Sequence, residues 1–214
     1  MNLAYVQAVG GDDGKPKLPG SLHVNRRLDS WLRVHAEGAV TITPGKVELG
    51  QGILTALSQI AADELDVSLA RIRVLSASTP TSPNEAVTSG SLSVQESGMA
   101  LRHACADARA VFLSVVAQKT GIAPEQIRVV DGEFLGPNGP LGSYWSLAKD
   151  NLLDCEASAD AKPKAPSERR IAGTPAARLD LPDKVFGRAR FVHDLRLPGM
   201  LHARVLRPPA RKAR

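Results

Sequence analysis

Two short segments hold the residue types from which a ligand site could be built. The first, Glu48-Leu49-Gly50-Gln51-Gly52, places a glutamine between two glycines. Glycine lets the backbone approach a ligand closely. A helix beginning after such a turn offers first-turn N–H groups to phosphate or another anion, and the Gln51 amide can both donate and accept. The second, Glu85-Ala86-Val87-Thr88-Ser89-Gly90-Ser91-Leu92-Ser93, sets four hydroxyls around Gly90 just before a second helix start. Hydroxyls plus first-turn amides make a neutral cradle for phosphate or oxo groups. Neither segment matches the G-x-x-x-x-G-K-[ST] or G-x-G-x-x-G phosphate loops. Steric needs alone explain glycine in a strand-to-helix turn, and Ser93 reads as a helix cap. Two glycine-preceded helix starts in one small unit nevertheless lead to the expectation that Gly50, Gln51, Gly52, Ser89, Gly90, Ser91 and Ser93 face one anionic ligand.

Other reactive side chains give less. Glu48 and Glu85 adjoin the two segments, but acidic residues beside turns are expected to be solvated rather than to act as bases. The five histidines, His23, His35, His103, His193 and His202, show no i, i+4 pair and no carboxylate at metal-ligand spacing. Cys105 and Cys155 lie fifty positions apart without a C-x-x-C partner, so this chain offers no zinc or iron–sulfur ligand set. No catalytic residue and no metal ligand is assigned from sequence. Trp31 and Trp145 fit either a core gap or a partner surface.

The elements that must position these segments can be read from periodicity. Ala39–Leu49 is rich in β-branched residues and interrupted by Pro44-Gly45, as in a strand with a mid-strand bulge or turn that runs on into Gly50. From Ile53 to Leu65, the apolar Leu54, Leu57, Ala61 and Leu65 recur at helical steps. Arg71–Leu75 alternates as a half-buried strand. Val94, Gly98, Leu101, Cys105, Ala108, Phe112 and Val115 form a long helical stripe, with Ser93-x-x-Glu96 as a capping box and Gly121 as its stop. Gln126–Val130 reads as a further strand. Asp131-Gly132 and Pro137-Asn138-Gly139 supply hairpin turns before a short helix near Tyr144–Lys149. Alternating strands and helices make the class α/β or α+β, a sheet covered by helices.

Composition bounds the rest. The 214 residues are 43% hydrophobic and 23% charged, an ordinary globular balance. Only 4% are aromatic, which disfavours ring-stacking single-strand nucleic-acid modules. No run approaches the ~20 apolar residues of a membrane-spanning helix, and the first twenty residues lack a secretory pattern, so a cytoplasmic protein is expected. Residues 1–150 carry a net charge of −2 and residues 151–214 a net of +7. The basic part fits a surface covered by an acidic partner or by further chain. A nucleic-acid arm lacks the interleaved aromatics or reading helix such binding uses. Residues 154–170, rich in Ala, Pro, Lys and Ser, read as a linker. The expected organisation is a tail over 1–20, a ligand-binding unit over 21–150, a linker over 151–170 and a second domain over 171–214.

Glu48-Leu49-Gly50-Gln51-Gly52-Ile53-Leu54-Thr55, Gln59, Ala62-Asp63-Glu64-Leu65, Thr88-Ser89-Gly90-Ser91-x-Ser93 and Gly98 resemble the molybdopterin-binding large subunit of the xanthine dehydrogenase and aldehyde oxidase family, in its isoquinoline 1-oxidoreductase and nicotinate dehydrogenase branch. Ile171–Pro208, with Lys184-Val185-x-Gly187 and Leu197-Pro198-Gly199-Met200-Leu201, resembles the start of that family's α/β hammerhead domain. The resemblance implies that Leu49-Gly50-Gln51-Gly52 and Thr88-Ser89-Gly90-Ser91-Leu92-Ser93 line a molybdopterin cofactor, with Leu and Ser-Gly standing where the family pattern has Met and Ala-Ala. It implies the cytosine dinucleotide form, a small [2Fe–2S] electron-transfer partner and a small-molecule aldehyde or N-heteroaromatic substrate hydroxylated with oxygen from water. The family's base is a distal Glu outside these residues, so residues 1–214 alone are expected to be a fragment without turnover. A truncated scaffold or interaction module without cofactor is the alternative.

Overall fold

Two strands flanking a turn, then a strand–helix–strand unit, organise the first third of the protein. In the computed structural model, which describes residues 14–189 and 191–210, β1 (Leu32–His35) pairs antiparallel with β2 (Ala39–Ile42). The α1 helix (Ile53–Leu65) then crosses over to β3 (Ile72–Val74), parallel to β2, with Val40 opposite Ile72 and Ile42 opposite Val74. Residues 1–13 of the expected tail and the basic 211–214 end lie outside the described residues.

The strand expected to run from Ala39 into Gly50 stops at Ile42. Pro44 has no N–H to give a ladder. Beyond it the backbone leaves the sheet to lie against residues 83–88, so closely that a Cβ on Gly45 would sit 2.3 Å from the Pro83 carbonyl oxygen.

The α2 helix (Met99–Thr120) is the longest element and ends, as expected, at Gly121 with a left-handed φ of 71°. Its start differs from the expected capping box. Residues Ser93–Gly98 form a wider π-turn, and no side chain caps it. The wider turn carries Ser97 onto the buried Glu85, a hydrogen bond of 2.8 Å that a cap at Ser93 does not provide. The buried stripe of α2 also drifts from Val115 to Val116, and Val94 is exposed.

Helices α1 and α2 pack through Leu57, Ala61 and Leu65 against Leu101, Ala104, Cys105 and Ala108, all in one core. The small residues allow close approach, and a Cβ on Gly98 would stand 3.1 Å from Ile60 Cδ1. Gly98 meets Leu57 and Ile60, while Arg102 pairs with Glu64. Partners therefore advance in the same direction along both helices, which are parallel, with both N-termini at one end.

A second sheet, β4 (Arg128–Val130), β5 (Glu133–Gly136) and β6 (Gly139–Ser143), is an antiparallel meander. Asp131 and Gly132, with φ of 48° and 86°, make the tight turn that Asp-Gly signals. Its buried Phe134 meets Tyr144 edge-on at 4.9 Å, and Tyr144 meets Phe112 of α2 at 5.0 Å. A 3-10 helix over Trp145–Asp150 follows.

The stretch expected as a linker is instead a packed strap, and the chain's first compact unit extends to Arg178. Leu153 and Ala157 are buried, and the Cys155 carbonyl accepts from the Leu28 N–H at 2.9 Å. Farther on, the Asp63 carboxylate of α1 accepts backbone N–H groups of Arg170, Ile171 and Ala172 at 2.8, 3.2 and 3.1 Å. Gln59 donates to the carbonyls of Ile171 and Thr174, both at 2.9 Å. A Pro- and Lys-rich stretch reads as spacer in sequence because its partners lie about a hundred residues away.

The second unit, from Leu179, carries a short α3 (Leu181–Val185) and a 3-10 turn over Val192–Asp194. No strand forms among its described residues, and Phe186 and Leu201 are 77% and 92% exposed.

Candidate functional site

The parallel helix pair decides where the two ligand-type segments go. The glycine loop (48–52) precedes α1 and the hydroxyl loop (88–93) precedes the π-turn of α2, so both emerge at the shared N-terminal end. Their approaches are bonded together. The Val47 N–H donates to Thr88 Oγ1 at 3.1 Å, the Gly45 N–H to Glu85 Oε2 at 2.6 Å, and Lys46 Nζ to the Glu85 and Val87 carbonyls at 2.7 and 3.0 Å.

Glu85, expected to be solvated, is buried and serves as a hub. It accepts from Ser21 Oγ through Oε1 at 2.5 Å and from Ser97 and Gly45 through Oε2, joining the N-terminal turn, the glycine-loop approach and the π-turn. Lys46 is equally buried, and burial pulls its ammonium below the usual lysine range, partly offset by Glu85 and Glu96. Lys46, Glu85, Ala86, Val87, Leu92 and Glu96 share the wall of a cavity of about 520 Å³.

The glycine loop differs from expectation in one respect. Two loop amides and one α1 N–H at the foreseen anion seat are taken by the protein's own Glu48. Its Oε1 accepts from Gly50 and Gly52, both at 2.8 Å, and Oε2 from Leu54 at 3.4 Å. Glu48 is only 11% exposed in its side chain, a half-buried cap rather than a solvated acid. Gln51 is exposed, but it folds onto its own loop, accepting from the Leu49 N–H at 2.5 Å and donating to the Val47 carbonyl at 3.0 Å. Gly50 and Gly52 hold φ of 105° and 80°, backbone that glycine alone adopts without strain. The space above Gly50 is open, with nothing within 4 Å of a Cβ placed there.

The hydroxyl loop is the opposite. Ser89, Gly90 and Ser91 are exposed, with Gly90 and Ser91 in left-handed backbone at φ of 65° and 59°. Among the described residues the hydroxyls of Ser89, Ser91 and Ser93 make no hydrogen bond with protein. Thr88 Oγ1 already accepts from the neighbouring loop, whereas the hydroxyls of these three neither donate nor accept there. The arrangement brings Gly50, Gln51 and Gly52 to the same end as Ser89, Gly90, Ser91 and Ser93. It can offer hydroxyl donors, an open glycine backbone and the second N–H of Gln51 to an oxygen- or sulfur-rich group.

Sequence reasoning missed Arg178 and Lys46. The Arg178 guanidinium donates to the Gly50 carbonyl at 2.9 Å and approaches Glu48 at 3.4 Å. No local spacing links residues 128 and 130 positions apart. Lys46 stood within the strand reading, where a lysine signals an outward face. Among the described residues no three His, Cys, Asp or Glu side chains gather as a metal site.

Comparison with known proteins points the same way. Residues 14–170 match the molybdopterin cofactor-binding domain. The chain is 38% identical to the B component of nicotinate dehydrogenase from Pseudomonas putida, over 86% of this chain and 16% of that protein. It is 30% identical to the beta component of isoquinoline 1-oxidoreductase from Brevundimonas diminuta, over 94% of this chain and 30% of that one. The chain thus spans under a third of either relative. Among solved structures, the reconstituted CO dehydrogenase from Oligotropha carboxidovorans aligns with a TM-score of 0.48 and 26% identity, covering 55% of this chain and 15% of that one. With the two loops side by side on a mixed helix-and-sheet frame, the domain match and the nicotinate dehydrogenase relative show that the chain belongs to the molybdopterin-binding xanthine dehydrogenase and aldehyde oxidase family.

Proposed function

We propose that this chain forms one wall of the cofactor pocket in a molybdenum hydroxylase large subunit. The observation that carries the proposal is the shared end of the parallel helices, where the Val47 to Thr88 hydrogen bond of 3.1 Å sets the glycine and hydroxyl loops side by side. The residues fit the group. A pterin with a dithiolene and phosphate tail asks for donors to oxygen and sulfur, and Ser89, Ser91 and Ser93 keep theirs unspent. When bound, the cofactor supplies the two-electron oxidation by which an aldehyde or N-heteroaromatic substrate gains oxygen from water.

The chain's own part is binding and orientation. Ser89, Ser91 and Ser93 donate to the cofactor's anionic oxygens. Gly50 and Gly52 let it approach without a Cβ in the way, and Gln51 adds its remaining N–H. Glu85 and Glu48 hold the two loops in shape and are not bases. The proposal includes the cytosine dinucleotide form of the cofactor, a small [2Fe–2S] partner that receives the electrons, the start of a hammerhead-type domain over 171–214, and residence in the cytoplasm. Residues 1–214 alone are expected to show weak or no turnover.

The test is the content of the native protein purified from its source. Stoichiometric molybdenum by mass spectrometry and pterin fluorescence after denaturation are expected, and Gln51→Ala is expected to lower both. Protein that carries neither overturns the proposal in favour of a scaffold without cofactor. Full content in the Gln51→Ala variant removes Gln51 from the site.

A further inference from the structure

The strap over residues 164–178 does more than cover α1, because its end reaches the glycine loop. Asp63 binds three consecutive strap amides, and Gln59, one turn earlier on α1, binds the Ile171 and Thr174 carbonyls. The strap therefore runs back along α1 toward the helix N-terminus. It ends with Arg178 over the loop, its Nε 3.7 Å from where a Cβ on Gly52 would stand. There Nη1 holds the Gly50 carbonyl at 2.9 Å and Nη2 faces Glu48 Oε1 at 3.4 Å. That same Oε1 gathers the Gly50 and Gly52 amides. A glutamate capping amides next to an anion's site would repel the anion unless its charge were matched. A planar guanidinium that bridges a carboxylate and a carbonyl does both tasks, fixing position and balancing charge.

We propose that Arg178 is a positioning residue for the cofactor loop, acting through Glu48. The strap delivers it, and its guanidinium locks the Gly50–Gly52 backbone in the receptive shape while neutralising the carboxylate that builds it. This rests on the cofactor reading above for the loop's purpose but not for the clamp itself. The loop is thus preorganised by the chain's own acid and base, and the ligand's anionic groups are left to the hydroxyl loop.

Amide hydrogen exchange on the native protein, read together with pterin content, tests it. In Arg178→Ala, exchange at Gly50, Gly52 and Leu54 is expected to quicken about tenfold, the size expected when a charge-assisted bond is lost, while Leu57 to Ala62 keep their rates. Pterin content is expected to fall, with Arg178→Lys, which keeps the charge but lacks the planar forked donors, in between on both readouts. Unchanged loop exchange overturns the clamp, as does equal quickening along all of α1, which marks general loosening. If Arg178→Ala does not fold, the lysine variant decides by the same two readouts. Quickened exchange with full pterin content overturns the role toward the cofactor. Wild-type protein without pterin instead overturns the cofactor reading, and the exchange data still judge the clamp.

Discussion

The two ends of the parallel helix pair differ in what they leave open. At the C-terminal end of α1 the charges are buried and shared. Glu64, 2% exposed, accepts from Arg102 Nε at 2.8 Å and from the Lys164 N–H at 3.1 Å, and the Arg109 guanidinium donates to its carbonyl at 2.7 Å. Asp66 pairs with Lys164 and Arg109. At the N-terminal end Glu85 and Lys46 are buried too, but the loop residues Ser89, Gly90 and Ser91 beyond them are exposed and the Ser89, Ser91 and Ser93 hydroxyls uncommitted. The contrast teaches that rigidity and accessibility are separated along one pair of helices. The network end holds the frame so that the loop end can leave polar groups open, which an isolated loop could not do without collapsing onto itself.

The sharpest way to break that division is at Glu64. Removing one partner of a buried ion cluster costs about 3–5 kcal/mol. Glu64→Ala is therefore expected to lower the melting temperature more than any loop substitution, with cofactor retained by whatever fraction stays folded. If Glu64→Ala melts like wild type, the network end is not the frame.

A second probe uses acidity on the same frame. Burial pushes the Asp107 carboxyl, hydrogen-bonded by Ser158, from 3.8 up to about 6. Between those values the folded protein holds a proton that the unfolded chain has released. This contribution to stability is present in full below about 4, is lost as pH rises toward about 6 and is flat above. Urea unfolding at a series of pH values is expected to show that slope, and Asp107→Asn to remove it.

Smaller effects are expected at the loops. Gly50→Ala forces a side chain into φ of 105° and should cost about 1–3 kcal/mol by thermal unfolding, with a larger proportional loss of pterin. Replacing Ser89 and Ser93 by Ala should move stability by only about 0.5 kcal/mol or less yet lower pterin content. A stability loss there without a change in pterin would erase the distinction between the two ends.

What could be read from sequence was what is local. The α1 helix lies at Ile53–Leu65, where its apolar period put it. Gly121 ends α2 because only a left-handed residue closes such a helix cleanly, and Asp131-Gly132 turns because both residues tolerate positive φ. The candidate loop residues could be found because glycine and hydroxyl clusters before helices are local signals too. The rest depends on distant partners. The π-turn answers to Glu85, the burial of Glu48 to α1 amides and Arg178, and the strap to Asp63. The second unit shows the same limit from the other side. Residues such as Phe186 and Leu201 are apolar yet exposed within the described chain, so apolar composition there does not mark burial.

The strap also sets a schedule for biosynthesis. Arg178 is translated 130 residues after Glu48, so a nascent chain can make both sheets and both long helices while its glycine loop still lacks its last anchor. Contacts of such long sequence separation form late and slowly. The loop therefore gains its Arg178 bonds only after the ribosome has released the segment that carries them.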